Sequence, residues 1–156
     1  MMAIDDRSLA SKYELVKLSV HSSTQIANRT ASVVAKLESS QANDAAKPAI
    51  VVLRAGARTA SKLISITEIA KRDLVSKGIK FFQYTALSSE MIEVQRQSKR
   101  AAVDAPEKEN DSGGDSDDAF ETMGASPETG TKKRLVPLMT VYLATKSIKE
   151  LSKEYE

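Results

Sequence analysis

The sequence predicts an α/β domain in which two helices pack on a four-stranded mixed sheet, and three observations predict it. Residues 13–21 alternate, with Val16, Leu18 and Val20 set against Lys17 and Ser19. Pro48 opens the unbroken apolar run Ala49-Ile50-Val51-Val52-Leu53. A stretch with apolar residues three and four apart follows each of these segments. Alternation of period two marks a half-buried strand, a short unbroken run a strand buried on both faces, and the wider spacing a helix.

Taken in order, residues 1–12 contain Asp5 and Asp6 but no apolar stretch, and are expected as a flexible N-terminus. The first strand runs from Tyr13 to His21. Ser22, Ser23 and Thr24 offer an N-cap to the helix that follows, on which Ile26, Thr30, Val33, Val34 and Leu37 share a face. After the buried strand, a second helix spans about Arg58 to Lys77, with Leu63, Ile66, Ala70 and Leu74 inward and Gly78 ending it. Ile79 to Leu87 is β-branched and aromatic, a third strand that extends toward Val94. Leu135 to Thr145 is the fourth, and Pro137 suggests an edge position, since proline donates nothing to a ladder. The order over residues 13–145 is β-α-β-α-β-β.

Residues 98–131 interrupt that domain. They are rich in Asp, Glu, Ser, Gly and Pro and hold too little apolar surface to offset the cost of ordering, so an acidic disordered insertion is expected. Ser112, Ser116 and Ser126 stand in acidic or proline-flanked contexts open to phosphorylation, although such loops are mostly just solvated. Residues 146–156 form a C-terminal tail, in which Lys146 to Leu151 could extend as a short helix without a specific role.

The bulk numbers exclude several functions. The chain has 156 residues, 41% hydrophobic and 28% charged, ordinary for one globular domain. It has no cysteine, so disulfides and thiolate metal sites are excluded, and one histidine, His21, reads as a strand-end residue. No apolar run approaches the roughly 20 residues that span a bilayer, and no secretory signal opens the chain, so no membrane partner is expected and the cytosol or nucleus is the default. Carboxylates outside the insertion are scattered, with no acid/base pair, and no cofactor or metal is expected. The net charge is only +2, yet about nine acidic residues and one lysine fall between Ala101 and Thr131. That segment carries roughly −8 and the remainder roughly +10, a split that suits a polyanion binder as well as a merely solvated surface.

The most informative stretch is Arg54-Ala55-Gly56-Ala57-Arg58-Thr59-Ala60-Ser61-Lys62, between a buried strand and a helix start. Small residues admit a ligand to the backbone, and free N–H groups at a helix N-terminus attract phosphate. Arg58 and Lys62 share one face, with Ser65 and Arg72 near the same stripe and Ile69 interrupting it. The alternative is that these cations only solvate a helix. A nucleotide P-loop fits poorly, having one glycine and no Gly-Lys-Ser/Thr ending. Phe81, Phe82 and Tyr84 could stack on bases, but alternation puts Phe81 opposite the other two, and core or interface is the expected place for two of the three.

The stretch RAGARTASKLISITEIAKRDL resembles the Alba family signature. Lys80 to Leu87, then an acidic insert, then Arg134-Leu135-Val136-Pro137 and an apolar strand, is similar to the larger Alba-type subunit of eukaryotic ribonuclease P and ribonuclease MRP, in its fungal-like form. The resemblance implies a non-catalytic RNA-binding subunit acting in tRNA and rRNA precursor processing in the nucleus, chiefly the nucleolus, with the cytoplasm as a further location. It implies two partners: structured RNA, the ribonuclease P/MRP RNA, and a second, smaller Alba-type subunit in a heterodimer. By the same resemblance Arg54 opens the basic turn, Gly56 and Arg58 follow, Ser61 and Lys62 start the helix, and Lys71 and Arg72 are the basic pair after Glu68-Ile69. Two alternatives stand beside it, an independent Alba-type homodimer on chromatin or messenger RNA and a protein-interaction scaffold. The family often has Gly-x-Gly where this chain has Ala55-Gly56-Ala57, and archaeal Alba proteins carry paired lysines where this chain has His21, Ser22 and Ser23.

Overall fold

Four strands and four helices follow one another in the computed structural model, which describes residues 6–43, 47–95 and 131–155. Helix α1 (Asp6–Lys12) leads into β1 (Glu14–Val20), then α2 (Ile26–Ala42), β2 (Ala49–Gly56), a 3-10 turn (Ala57–Thr59), α3 (Ala60–Ser76), β3 (Phe82–Gln95), β4 (Thr131–Ala144) and α4 (Lys149–Tyr155). The chain divides into two units, Met1–Glu90 with Leu135–Glu156, and Met91–Arg134. Among the described residues the second unit holds only the outer ends of β3 and β4, where Met91, Ile92 and Val94 are exposed. The expected insertion at 98–131, with its serines, lies outside the described residues apart from Thr131, the first residue of β4.

The sheet order is β1-β2-β4-β3. β1 and β2 are parallel, from Glu14↔Ala49 to Val20↔Ala55. β2 and β4 are antiparallel, from Ile50↔Ala144 to Gly56↔Leu138. This is the mixed four-stranded α/β architecture that the periodicities predict. β4, however, is an interior strand. Pro137 is accommodated because it lies just beyond Leu138, where the pairing with β2 has already ended, so its missing N–H costs that ladder nothing.

β2 is apolar throughout because it is covered on both sides. Val51, Leu53 and Ala55 face a core built with Val33, Val34 and Leu37 of α2, Leu63, Ile66, Ala70 and Leu74 of α3, and Val141 and Leu143 of β4. Ile50 and Val52 face a second core with Tyr84, Tyr142, Ala144, Leu9 of α1, and Ile148 and Leu151 at α4. The expectation of a flexible N-terminus is therefore corrected over residues 6–12, and the short helix expected in the tail is present but has a packing role that was not expected of it. Asp6–Lys12 and Lys149–Tyr155 are helices that bury Leu9 and Leu151 against the sheet face that α2 and α3 leave open. Each is only seven residues long, too short to be stable on propensity alone, and is held by that burial. Polar ties add to it: Lys12 and Glu150 pair at 2.7 Å, Lys17 and Asp6 at 2.6 Å, and the Ile148 N–H donates to the Tyr84 hydroxyl at 3.2 Å.

Boundaries shift for local reasons. Gln25, not a serine or threonine, caps α2, and its Oε1 accepts from the Asn28 side-chain amide at 2.6 Å, not from a helix N–H. Thr24 instead turns its Oγ1 back to accept from the His21 N–H at 2.9 Å. Gly78, at φ 70°, ends α3 in a Schellman motif. Its N–H reaches the Val75 carbonyl and that of Ile79 the Leu74 carbonyl, while Ile79 packs on the main core. Residues 79–81 are spent on this turn, which delays β3 to Phe82.

Candidate nucleic-acid interface

The parallel pairing of β1 with β2 sets Val20 beside Ala55, so both strands finish at the same edge and both long helices begin there. In open α/β sheets this edge is where ligands are received. α2 and α3 each have 17 residues, neither has an acidic residue in its first turn, and neither N-cap side chain, Gln25 or Thr59, accepts a capping hydrogen bond from its own helix's first N–H groups. The helix-terminal N–H groups of α2 are thus left for water or an anion, while at α3 the 3-10 turn already takes the Ala60 N–H to the Ala57 carbonyl; the positive ends of both dipoles still lie at this edge.

Two side chains hold these starts together. Thr59 Oγ1 donates to the Val20 carbonyl at 3.0 Å. Lys62 Nζ donates to the Ser22 carbonyl at 2.5 Å and the Thr24 carbonyl at 3.1 Å. The ammonium expected to grip phosphate therefore commits two of its three protons to the loop between β1 and α2, keeping one for a ligand. Arg58, exposed on the 3-10 turn, makes no hydrogen bond or ion pair with any described residue. The guanidinium of Arg29, half-buried in the first turns of α2, likewise has no partner among the described residues; a cation on an amphipathic helix looks like ordinary solvation in the sequence. Gly56 is extended at φ −76°, and a Cβ there would meet nothing within 4 Å. The turn therefore asks nothing of Gly56 that an L residue could not supply.

The seven residues singled out by sequence separate into three places. Gly56, Arg58, Ser61 and Lys62 gather at the start of α3. Lys71 and Arg72 lie on the same helix about 15 Å farther along, at a rise of ~1.5 Å per residue. Nine residues apart, Lys62 and Lys71 leave opposite flanks of α3. Lys62 turns toward the α2 side, whereas Lys71 pairs with Glu68 at 2.5 Å and sits 5.9 Å from the Phe81 ring centre. Arg54 is exposed but belongs to the other sheet face, in register with Ser19 and Thr140 and on the side of Val52 and Tyr142. There its charge opposes a rise in the Tyr142 hydroxyl, which burial and the nearby Tyr155 and Asp6 push up to about 12.

The sequence matches no family model and no curated protein. Among solved structures the chain is similar to Alba from Thermoplasma volcanium. That likeness has a TM-score of 0.41 and 15% identity, over 83% of this chain and 99% of the other.

Of the three aromatics considered for base stacking, Tyr84 is core, and Phe82 packs beside it under the Lys80 ammonium, 5.4 Å from the ring centre. Phe81 packs partly on the main core and also lines an open groove with Glu68, Lys71, Arg72, Val75 and Ser76. No group of three or more His, Asp or Glu residues capable of holding a metal occurs among the described residues, and no described helix is long and apolar enough to cross a membrane.

Proposed function

We propose that this chain is an Alba-type RNA-binding protein without catalytic function, serving as an accessory subunit of nuclear ribonuclease P/MRP in tRNA and rRNA precursor processing. The observation that carries the nucleic-acid reading is the pair of uncapped helix starts at one sheet edge, bordered by Arg29, Arg58 and Lys62. A phosphate there accepts from backbone N–H groups and is attracted by two dipoles and three cations, with no carboxylate in either first turn to repel it. The ribonuclease assignment rests on the resemblance of residues 54–74, 80–87 and 134–137. A second, smaller Alba-type subunit completes the RNA-binding surface. Exposed apolar side chains outside the cores, among them Leu87 and Leu135, favour a protein partner over a solitary chain.

Purification of the tagged protein from its own cells, with sequencing of the bound RNA, tests the reading. Enrichment of the ribonuclease P and MRP RNAs together with a small Alba-type protein is expected. A broad set of messenger RNAs or chromatin fragments would replace it with an independent Alba-type homodimer, and the absence of nucleic acid would leave a scaffold.

A further inference from the structure

Thr59 stands at the N-cap of α3, where a threonine ordinarily accepts from backbone N–H groups of the first turn. Here it does not. Its single hydroxyl proton goes to the Val20 carbonyl at 3.0 Å, 39 residues back along the chain, with the Gly56 carbonyl beside it at 3.4 Å. Val20 ends β1 and Gly56 ends β2, so one side chain joins both strand ends to the start of α3. Beyond Val20, the connection to α2 is folded on itself by Thr24, whose Oγ1 accepts from the His21 N–H and whose N–H donates to the His21 carbonyl. The first turn of α2 needs this support. The fully buried anchors of that helix, Val33 and Leu37, lie farther along, and among residues 26–29 only Ile26 packs on the core.

Resting on the RNA-binding reading, we propose that Thr59 is a positioning residue for RNA. Its tie to Val20 sets where α2 begins relative to α3, so that one RNA backbone meets the α2 N–H groups and Arg29 on one side and Arg58 on the other. Two anchors act as a single site only when their separation matches the ligand, and holding that separation in advance spares the cost of ordering it on binding. Lys62 also ties this loop, but it carries a charge, so its support and its attraction for phosphate cannot be separated by substitution. Thr59 is uncharged and half-buried, and its proton is committed. It acts on an anion through what it holds in place.

The test measures the affinity of the full chain for an RNA hairpin across a range of salt. In wild type, Arg29→Gln should reduce the slope of log affinity against log salt by about one. Thr59→Val keeps the branched Cβ and loses the hydroxyl. Although it removes no charge, it should reduce the slope by the same amount, and adding Arg29→Gln to it should change nothing further, since the two act on one contact. Thr59→Ser should restore the wild-type slope. Thr59→Ala, which sets no methyl against the Val20 carbonyl, serves in its place should Thr59→Val fail to fold. A folded Thr59→Val or Thr59→Ala with the full slope overturns the inference. So does a loss of affinity in which Arg29→Gln still subtracts its whole contribution, which would make Thr59 a direct contact or a brace for stability alone. Wild-type protein with no salt-dependent binding to the hairpin overturns the RNA reading itself, and the positioning role with it.

Discussion

Arg58 and Lys62 look equivalent in the sequence and differ in the fold. Arg58 stands free of described partners, so Arg58→Glu should weaken RNA binding at all sequences and lower the slope of log affinity against log salt by about one. Lys62 is first a tie between the β1–α2 loop and α3. Lys62→Met should therefore loosen that loop as well as weaken binding. Hydrogen exchange at residues 22–26 should rise, and Lys62→Arg should restore much of the protection. Unchanged exchange in Lys62→Met would show that the tie is not formed in solution. Gly56→Ala makes the opposite statement. Its backbone is extended and its surroundings open, so the melting temperature should stay within a degree or two, as for substitutions away from strained or packed sites.

At the scale of elements, the terminal helices decide more than their length implies. The face of the sheet carrying Ile50, Val52, Tyr84 and Tyr142 would be bare without Leu9, Ile148 and Leu151. Leu151→Ala, at a fully buried side chain, should cost about 2–5 kcal/mol in denaturant unfolding. Tyr84→Phe leaves the buried Ile148 N–H without its acceptor and should cost about 1–3 kcal/mol. A small loss in both would mean that α4 docks only weakly. α2 and α3 need no such help, each presenting a full apolar stripe to the main core. Their polar starts stay available at the sheet edge because the apolar anchoring lies farther along each helix.

For the molecule as a whole, titration should report how the second sheet face closes. Burial lifts the Tyr142 hydroxyl to about 12 from 10.0, so the folded state keeps a proton that the unfolded chain loses. Its contribution is complete below pH 10 and is lost as pH rises toward about 12. Stability measured across that range should fall, and Tyr142→Phe should flatten the fall. A wild-type curve equally flat would place Tyr142 in solvent. At the acid end, the Lys12 hydrogen bond holds Glu150 below its usual value, so the tie between α1 and α4 is present above that value and lost as pH drops through the lowered one. The pair is exposed, and this effect should be small and weaken with salt.

The strand and helix order, the parallel start of the sheet, the Gly78 stop and the basic turn at 54–62 are legible in the chain alone. These depend on near neighbours, through periodicity, capping and the left-handed residue at a helix end. Which cations share a surface depends instead on how distant segments pack. Arg54 went to the opposite sheet face because β2 alternates, Lys71 to Glu68 and Phe81, and Lys62 to two carbonyls forty and thirty-eight residues away. Helix α1 was likewise invisible, since seven residues with one buried leucine carry too little periodicity to be read, and so was the packing role of the short C-terminal helix, because both form where a distant sheet face offers them apolar surface to cover. Pro137 misled for the same reason, for an edge is a property of register with another strand, and local sequence does not contain it.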